Sequence, residues 1–442
     1  MWERLRSIWT IPDLRKKILF TLAMLLVFRI LAHITVPLTH DETLKLNSLF
    51  STNGNNNLGQ LLGLLDVFSG GSLQQFSIVA LGVYPYITAT IVMQLLQPII
   101  PALENMMREG EAGRLRFSQI TRIVTVPLAF LQAIGNAAIF VRFGVLTNFS
   151  LIDPKYALES WAILLSLTAG TMILVWIGEL ITENGIGNGI SIIIFGGIVS
   201  RIPSLVQQGY TASSTAGGSI VSIVVFAIIG LVTILGIVYV YQGQRRVPIE
   251  YPTKRMVGRG MMVGTAQRTY IPMQVNSAGM IPLIFAQSML IFPAVLAQYL
   301  ATSNTTWLAN VANWVGTYIA NTGTWYYWVI YFLLVVAFTY FYAYVVWQQQ
   351  NIPDTLQKQG AHIPGYRPGE ATRRHLNDIL NRITLAGALF LGIVAILPYV
   401  ARVGGNQLLS SAALLIVVGV VLDTVRQIEA QMVMRNYSGF LT

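Results

Sequence analysis

Cysteine is missing from all 442 residues. No disulfide framework and no thiolate metal site can therefore exist. Charge is scarce too: Asp, Glu, Lys and Arg together make up 10% of the chain, against about 25% in an ordinary soluble domain. Histidine occurs only at His33, His40, His362 and His375, and no two of these have the spacing of metal ligands on one helix face. No Gly-x-x-x-x-Gly-Lys-Ser/Thr phosphate loop occurs. The alternate glycines of Glu183-Asn184-Gly185-Ile186-Gly187-Asn188-Gly189 are not followed by the lysine such a loop needs. There is no Gly-x-Ser-x-Gly nucleophile elbow, and no carboxylate pair lies deep in an apolar run. These absences argue against an enzyme: no catalytic residue, no metal and no cofactor is expected.

What remains is grease. Hydrophobic residues make up 54% of the chain and its mean hydropathy is +0.61. A membrane-spanning helix needs roughly 20 apolar residues. Ten stretches qualify: 18–36, 75–97, 120–143, 158–181, 190–208, 218–241, 275–300, 325–347, 380–400 and 407–428. Backbone polar groups must be satisfied inside lipid, so the fold class expected is an all-α polytopic membrane protein. The first span is too long for a cleavable signal, and no small-residue cleavage site follows it. The net charge of +10 is unevenly placed. Arginine and lysine crowd the N-terminus and the loops after spans two, six and eight, while alternate loops carry little beyond Lys45, Lys155 and Arg402. The positive-inside rule then puts both termini in the cytoplasm. Arg29 and Arg201 fall deep in spans without an obvious acidic partner, which suits capping of carbonyls or tying of helices.

Two short pieces of the chain match each other. Gly82-Val83-Tyr84-Pro85-Tyr86-Ile87 and Gly279-Met280-Ile281-Pro282-Leu283-Ile284 share Gly-x-x-Pro-x-Ile, and the segments that carry them, the second and the seventh, are five spans apart. An odd number of crossings sets the copies in opposite orientations. That is the mark of an inverted repeat, with its working site near the bilayer midplane. The expected domains are residues 1–217 and 218–442, two inverted five-helix halves around a central pore. Pro85 and Pro282 each remove a helical hydrogen bond, which predicts kinks. Val83 and Ile87, Ile190 and Ile194, and Ile281 and Ile284 share helix faces. Such pairs ordinarily just pack against a neighbour, but at symmetric kinked helices they make a dewetting constriction. A secondary transporter can also be built from inverted repeats, and a scaffold for other membrane subunits is a third reading. The aliphatic character of the repeat favours the constriction.

Three loops stand out. Leu58 to Phe68 is apolar, but its eleven residues would reach only about 16 Å as a helix, so it is read as a re-entrant half-helix and a movable stopper, with a surface-lying amphipathic segment as the alternative. The loop at 242–274 reads as a projecting hairpin. The loop at 348–379 carries Gly360-Ala361-His362-Ile363-Pro364-Gly365-Tyr366-Arg367-Pro368-Gly369-Glu370, whose Pro/Gly density holds a shape without regular structure. Both basic loops are candidate docking fingers for a cytosolic partner.

The run Gly185-Ile186-Gly187-Asn188-Gly189-Ile190-Ser191-Ile192-Ile193-Ile194-Phe195 resembles the SecY family, the channel subunits of the Sec protein translocase. So do Ala80-Leu81-Gly82 with Pro85-Tyr86-Ile87, Gln242-Gly243-Gln244-Arg245-Arg246, Ala278-Gly279 with Ile281-Pro282, and Pro364 to Glu370. The similarity runs through all ten spans and weakens at 37–57, at 301–324 and in the C-terminal tail. It implies a clamshell that passes unfolded, signal-bearing polypeptides and releases apolar segments sideways into lipid. The family's pore ring would fall on Val83, Ile87, Ile190, Ile194, Ile284 and Ile416, with Ile281 adjacent. Its plug would be the short helix at 58–68, with Leu58, Leu61, Leu62, Leu64, Leu65 and Phe68. Its lateral gate would lie at Thr88, Ile91, Gln287, Ser288 and Phe292, near Asn188 and Asn276. Partner docking would fall to Arg245, Arg246, Lys254, Arg255, Arg259, Arg367, Pro368 and Gly369. Implied partners are the SecA motor ATPase, the ribosome, signal peptides and nascent chains, membrane lipid, and small SecE-like and SecG-like subunits. The implied location is the bacterial inner membrane.

Overall fold

The computed structural model describes residues 11–36, 42–43, 45–46, 66, 69–142, 144–146, 149, 153–154, 156–215, 220–257, 261–276, 279, 281–300, 306–318, 324–350, 352–367, 369–402 and 411–438, with backbone alone along parts of some helices and strands. In chain order come α1 (Pro12–Ala32), α2 (Tyr84–Leu96), α3 (Pro101–Arg108), α4 (Glu111–Arg142), α5 (Ala157–Asn184), α6 (Gly189–Thr215) and α7 (Ile220–Gln242). A two-stranded hairpin, β1 (Gln244–Val257) and β2 (Met261–Gln274), follows. Then come α8 (Ile281–Leu300), α9 (Thr306–Tyr318), α10 (Trp325–Gln350), α11 (Ile352–Lys358), α12 (Glu370–Arg402) and α13 (Ser411–Ser438).

The helices form because long apolar runs can satisfy their own backbone, and hydroxyls inside them do the same. Thr88, Thr121, Thr125, Thr168 and Thr339 each donate to the carbonyl four residues back, so these polar groups need no other partner in an apolar setting. Among the described residues α4, α5, α10 and α12 are long and apolar enough to cross a membrane, and a fifth crossing is made if α2 and α3, bent by 103°, count as one. α12 has 33 residues, about 50 Å of helix, and so outruns a hydrocarbon core of about 30 Å.

The structure departs from the expected second span. Residues 69–83 form turns, and helix begins only at Tyr84. Gly70, Gly71 and Gly82 have φ of +70°, +86° and +59°, and Phe76 sits at +45°, where the α-helix cannot continue. Phe76 occupies that rarely used region while buried, with its ring edge-on to Phe140 at 4.8 Å. The turn region instead pairs with the end of α1: Val36 N–H donates to Phe76 O at 3.0 Å and Ile78 N–H to Ile34 O at 2.9 Å. Gly170 of α5 lies so close to Ile78 that any Cβ there would collide with its carbonyl.

Side chains gather in three apolar cores. The central one draws on α1, α5, α6, α7, α8, α10, α12 and α13. A second lies between the turn region, α4 and α5. The third packs the base of the hairpin, through Val247, Ile249 and Met273, against Trp347, Leu356, Ile363 and Leu376.

Candidate functional site

The two copies of Gly-x-x-Pro-x-Ile fold alike. Gly82 and Gly279 both take positive φ, +59° and +66°. Each is followed within two residues by the first residue of a helix, Tyr84 or Ile281. Pro85 and Pro282 are thus second residues of α2 and α8. The expected kinks are absent for that reason: a proline in the first turn occupies a position whose N–H has no helical partner anyway. Proline lies inside α4, α6 and α8 instead, at Pro127, Pro203 and Pro293.

Aliphatic side chains at these two starts belong to the central core. Val83, Ile194 and Ile416 are buried in the central core, and Ile87, Ile190 and Ile284 pack against it. Six residues from four chain segments, the aliphatic junction, therefore share one large apolar core. Ile281, half-buried at the first position of α8, does not join it. Ile190 also leans on α5, where a Cβ on Gly178 would stand 2.6 Å from its δ-carbon.

Beside the junction, α2 and α8 touch along a seam. Tyr84 donates its phenol O–H to the Ser288 carbonyl at 3.2 Å. Gln287 and Ser288 are buried, as is Ile91. Thr88 bonds the Tyr84 carbonyl at 3.0 Å, and Gln132 of α4 reaches its hydroxyl at 3.4 Å. The Phe292 side chain lies outside the described residues. Asn188 is exposed and caps α6, its Oδ1 accepting the Ser191 N–H at 3.2 Å. Asn276 is buried and donates to the Gly279 carbonyl at 3.1 Å, bracing the second motif. Tyr84 was not singled out from sequence, although it lies inside the repeated motif.

A polar knot lies where the turn region meets α1 and α6. Asp66 is fully buried and forms an ion pair with Arg201. Its other oxygen accepts the Gln74 N–H at 2.8 Å, and Arg201 also donates to Gln74 Oε1 at 2.7 Å. Arg29 donates to the Gly70 carbonyl at 3.0 Å and to Ser200 Oγ at 3.3 Å. Arg29 thus caps a carbonyl and ties helices as expected, but Arg201 does have an acidic partner. That partner is the lone acid in the apolar stretch 58–68, which was the available signal. The stopper residues Leu58, Leu61, Leu62, Leu64, Leu65 and Phe68 lie outside the described residues.

The two basic loops form one body. β1 and β2 pair antiparallel with Gln244 opposite Gln274 and Val257 opposite Met261, as the hairpin reading expected. Glu250 and His362 then exchange backbone hydrogen bonds at 2.9 and 3.0 Å, adding the second loop to the edge of the hairpin. That loop is more regular than expected, since α11 forms within it. Arg373 pairs with Asp354 at 2.9 Å, and Arg268 with Glu250 at 2.9 Å. Arg245, Arg246 and Arg367 are exposed, Arg246 lying over the Tyr270 ring at 5.0 Å. Gly369 takes φ +104° in the turn before α12. The side chains of Lys254 and Arg255, and residues Arg259 and Pro368, lie outside the described residues. A cavity of 690 Å³ opens between this body and α2–α4, with Glu104, Arg114, Gln348 and Arg373 on its walls. Arg122 and Glu179, at 2.8 Å, join α4 to α5.

The arrangement is that of a multi-pass membrane protein whose helices have the fold of the protein-conducting channels. A solved structure described as that of a protein conducting channel aligns with TM-score 0.61 at 17% identity, covering 95% of this chain and 93% of its own. Sec61 in the canine ribosome-channel complex from the endoplasmic reticulum aligns with TM-score 0.58, also at 17% identity, covering 95% and 93%. The profile of the SecY family matches residues 77–425. The protein translocase subunit SecY of Streptomyces galbus is 42% identical over 440 residues, with 97% of each chain covered. Those of Mycobacterium bovis and Halalkalibacterium halodurans are 40% identical over 442 residues and 42% over 462, with 97% and 100% of each chain covered. The chain belongs to the SecY family.

Proposed function

We propose that this chain is the central pore-forming subunit of a Sec protein-conducting channel, passing unfolded signal-bearing polypeptides across the membrane and releasing apolar segments laterally into lipid. The observation that carries the proposal is that Val83, Ile87, Ile190, Ile194, Ile284 and Ile416 share one apolar core, into which two copies of one motif lead. In this reading the helices make ten crossings in two inverted halves, 1–217 and 218–442, with Ile281 at the margin of the ring. Aliphatic side chains hold no water, so the closed junction resists ions. They make no specific bond to what passes, so any sequence can be threaded through.

The seam between α2 and α8 serves as the lateral gate, at Thr88, Ile91, Gln287, Ser288 and Phe292, with Asn188 and Asn276 at its polar end. The Tyr84–Ser288 hydrogen bond supports a closed resting state. A signal segment with its 7–15 apolar residues parts this seam and exchanges protein contacts for lipid. The stretch 58–68 acts as the plug, tethered at Asp66. The chain has no energy source of its own, so it works as a passive conduit rather than an enzyme. The exposed arginines of the joined loops receive the SecA motor or the ribosome, whose RNA phosphates attract them. SecE-like and SecG-like subunits complete the assembly in the bacterial inner membrane, with both termini cytoplasmic.

The test is resting ion conductance of the reconstituted channel. Ile87→Gly with Ile284→Gly should raise it well above the parent, while Leu385→Gly on the exposed face of α12 should not. Equal conductance in all three removes the junction from the proposal.

A further inference from the structure

The chain from 301 to 324 contains no Asp, Glu, Lys or Arg, and its helix α9 has three distinct faces. At about 100° per residue, Trp307, Val311, Trp314 and Tyr318 fall within about 60° of one another. All four are exposed, Trp307 at 73%, Trp314 at 57%, Tyr318 at 43% and Val311 at 42%. Asn310, Asn313 and Thr317 form a second, polar stripe roughly 90° away on one side. Ala312, roughly 130° away on the other side, is buried at 3%, and α9 packs against α8. One face is thus for protein, one is neutral and polar, and one is a bare aromatic stripe.

We propose that α9 lies in the plane of the non-cytoplasmic membrane interface, with its aromatic stripe seated in the boundary between lipid headgroups and acyl chains. Three observations commit the stripe to lipid. It is continuous with the lipid-facing side of α10: Trp314 lies 5.5 Å from Tyr318, Tyr318 lies 6.0 Å from Tyr326, and Tyr326 lies 4.1 Å from Trp325. Exposed Val329 and Leu333 carry the same surface down α10. The stripe sits at the end of α10 opposite the basic loops, which is one of the two bilayer interfaces that Trp and Tyr favour. Finally, the residue types fit, since Trp and Tyr combine an apolar body with a polar tip, and Asn and Thr face the water.

Interfacial helices usually carry Lys and Arg on the polar face and gain from anionic lipid. This face is neutral, so the seating is independent of lipid charge. Because α9 packs on α8, the stripe holds the outer part of α8 at a fixed depth in the bilayer.

The absence of native cysteine makes a direct test available. Single cysteines placed in turn at positions 307–318 are spin-labelled, and the chain is reconstituted in phosphatidylcholine vesicles. Collision with dissolved oxygen reports lipid, and collision with a water-soluble nickel chelate reports water. Oxygen collisions should dominate several-fold at 307, 311, 314 and 318, nickel collisions at 310, 313 and 317, and both should be low at 312. Adding phosphatidylglycerol should leave the pattern unchanged. Nickel-dominated collisions along the stripe would show it in water, and low collisions with both would show another protein surface on it; either overturns the proposal, as does a pattern that appears only with anionic lipid. A second measurement reads the tryptophans directly: brominated lipid should quench less of the total fluorescence in Trp314→Phe than in the parent. Equal quenched fractions would also overturn it.

Discussion

Removing the guanidinium of Arg201 should weaken the chain more than any single change on its lipid-facing surface. The Asp66 side chain is 0% exposed and that of Arg201 is 15% exposed. Arg201→Met keeps the aliphatic stem but leaves a carboxylate with only the Gln74 N–H. Breaking a buried ion pair by removing one partner costs about 3–5 kcal/mol. On an unfolding entropy of about 2.1 cal/mol/K per residue, the 442-residue chain loses roughly 3–5 °C in apparent melting temperature. Adding Asp66→Asn removes the stranded charge. Replacing both members of such a pair by neutral groups is often close to neutral, so the double variant should recover most of the loss. The assay is thermal unfolding of the purified chain in one detergent at one scan rate, followed by near-ultraviolet dichroism. A single variant within 1 °C of the parent on that scale, or a double variant as unstable as the two losses added, would refute the reasoning. The same knot anchors the proposed plug, so Arg201→Met should also leak ions at rest.

Tyr84→Phe removes the hydrogen bond that joins α2 to α8. A net loss of about 1 kcal/mol should open the seam about five-fold more often, read as faster crosslinking of a signal peptide to Ile91→Cys; an unchanged rate would remove Tyr84 from the gate. Arg367→Glu should block SecA-driven export while the purified chain keeps its melting temperature, because the side chain is exposed. Normal export would show that this loop is no docking element. Glu250→Ala withdraws the carboxylate shared by Arg268 and His362. Because the backbone bridge to His362 remains, it should cost no more than about 1 kcal/mol; a loss of several kcal/mol would show the ion pair holding the loops together.

The repeated motif was visible as letters, and its letters do encode one local shape: a left-handed glycine, one residue, and a helix with proline in its first turn. The expected kinks do not follow, because a proline's effect depends on where the helix starts, and the letters around Pro85 do not by themselves mark that start. The start is decided by Gly70, Gly71, Phe76 and Gly82, whose turns are held by contacts with Ile34 and Gly170 far away in the chain. The hairpin was legible because its strands are adjacent and its prolines exclude a helix. Its union with the second loop was not, since it rests on one bridge between Glu250 and His362. The same limit hid the partner of Arg201: the acid lies in another segment, and only tertiary packing brings it within reach. The aliphatic junction was half legible. Helical spacing paired the isoleucines, but Ile416 came only from the resemblance to a family.

The central claim is that a moving polypeptide passes through the junction. A photo-crosslinking residue placed at Ile194, at Ile284 or at lipid-exposed Leu385 tests it, with a signal-bearing precursor arrested midway by a bulky C-terminal domain. The account predicts adducts to the precursor from 194 and 284 and none from 385. Arrested precursor that is protease-protected yet forms no adduct from either junction position would contradict it.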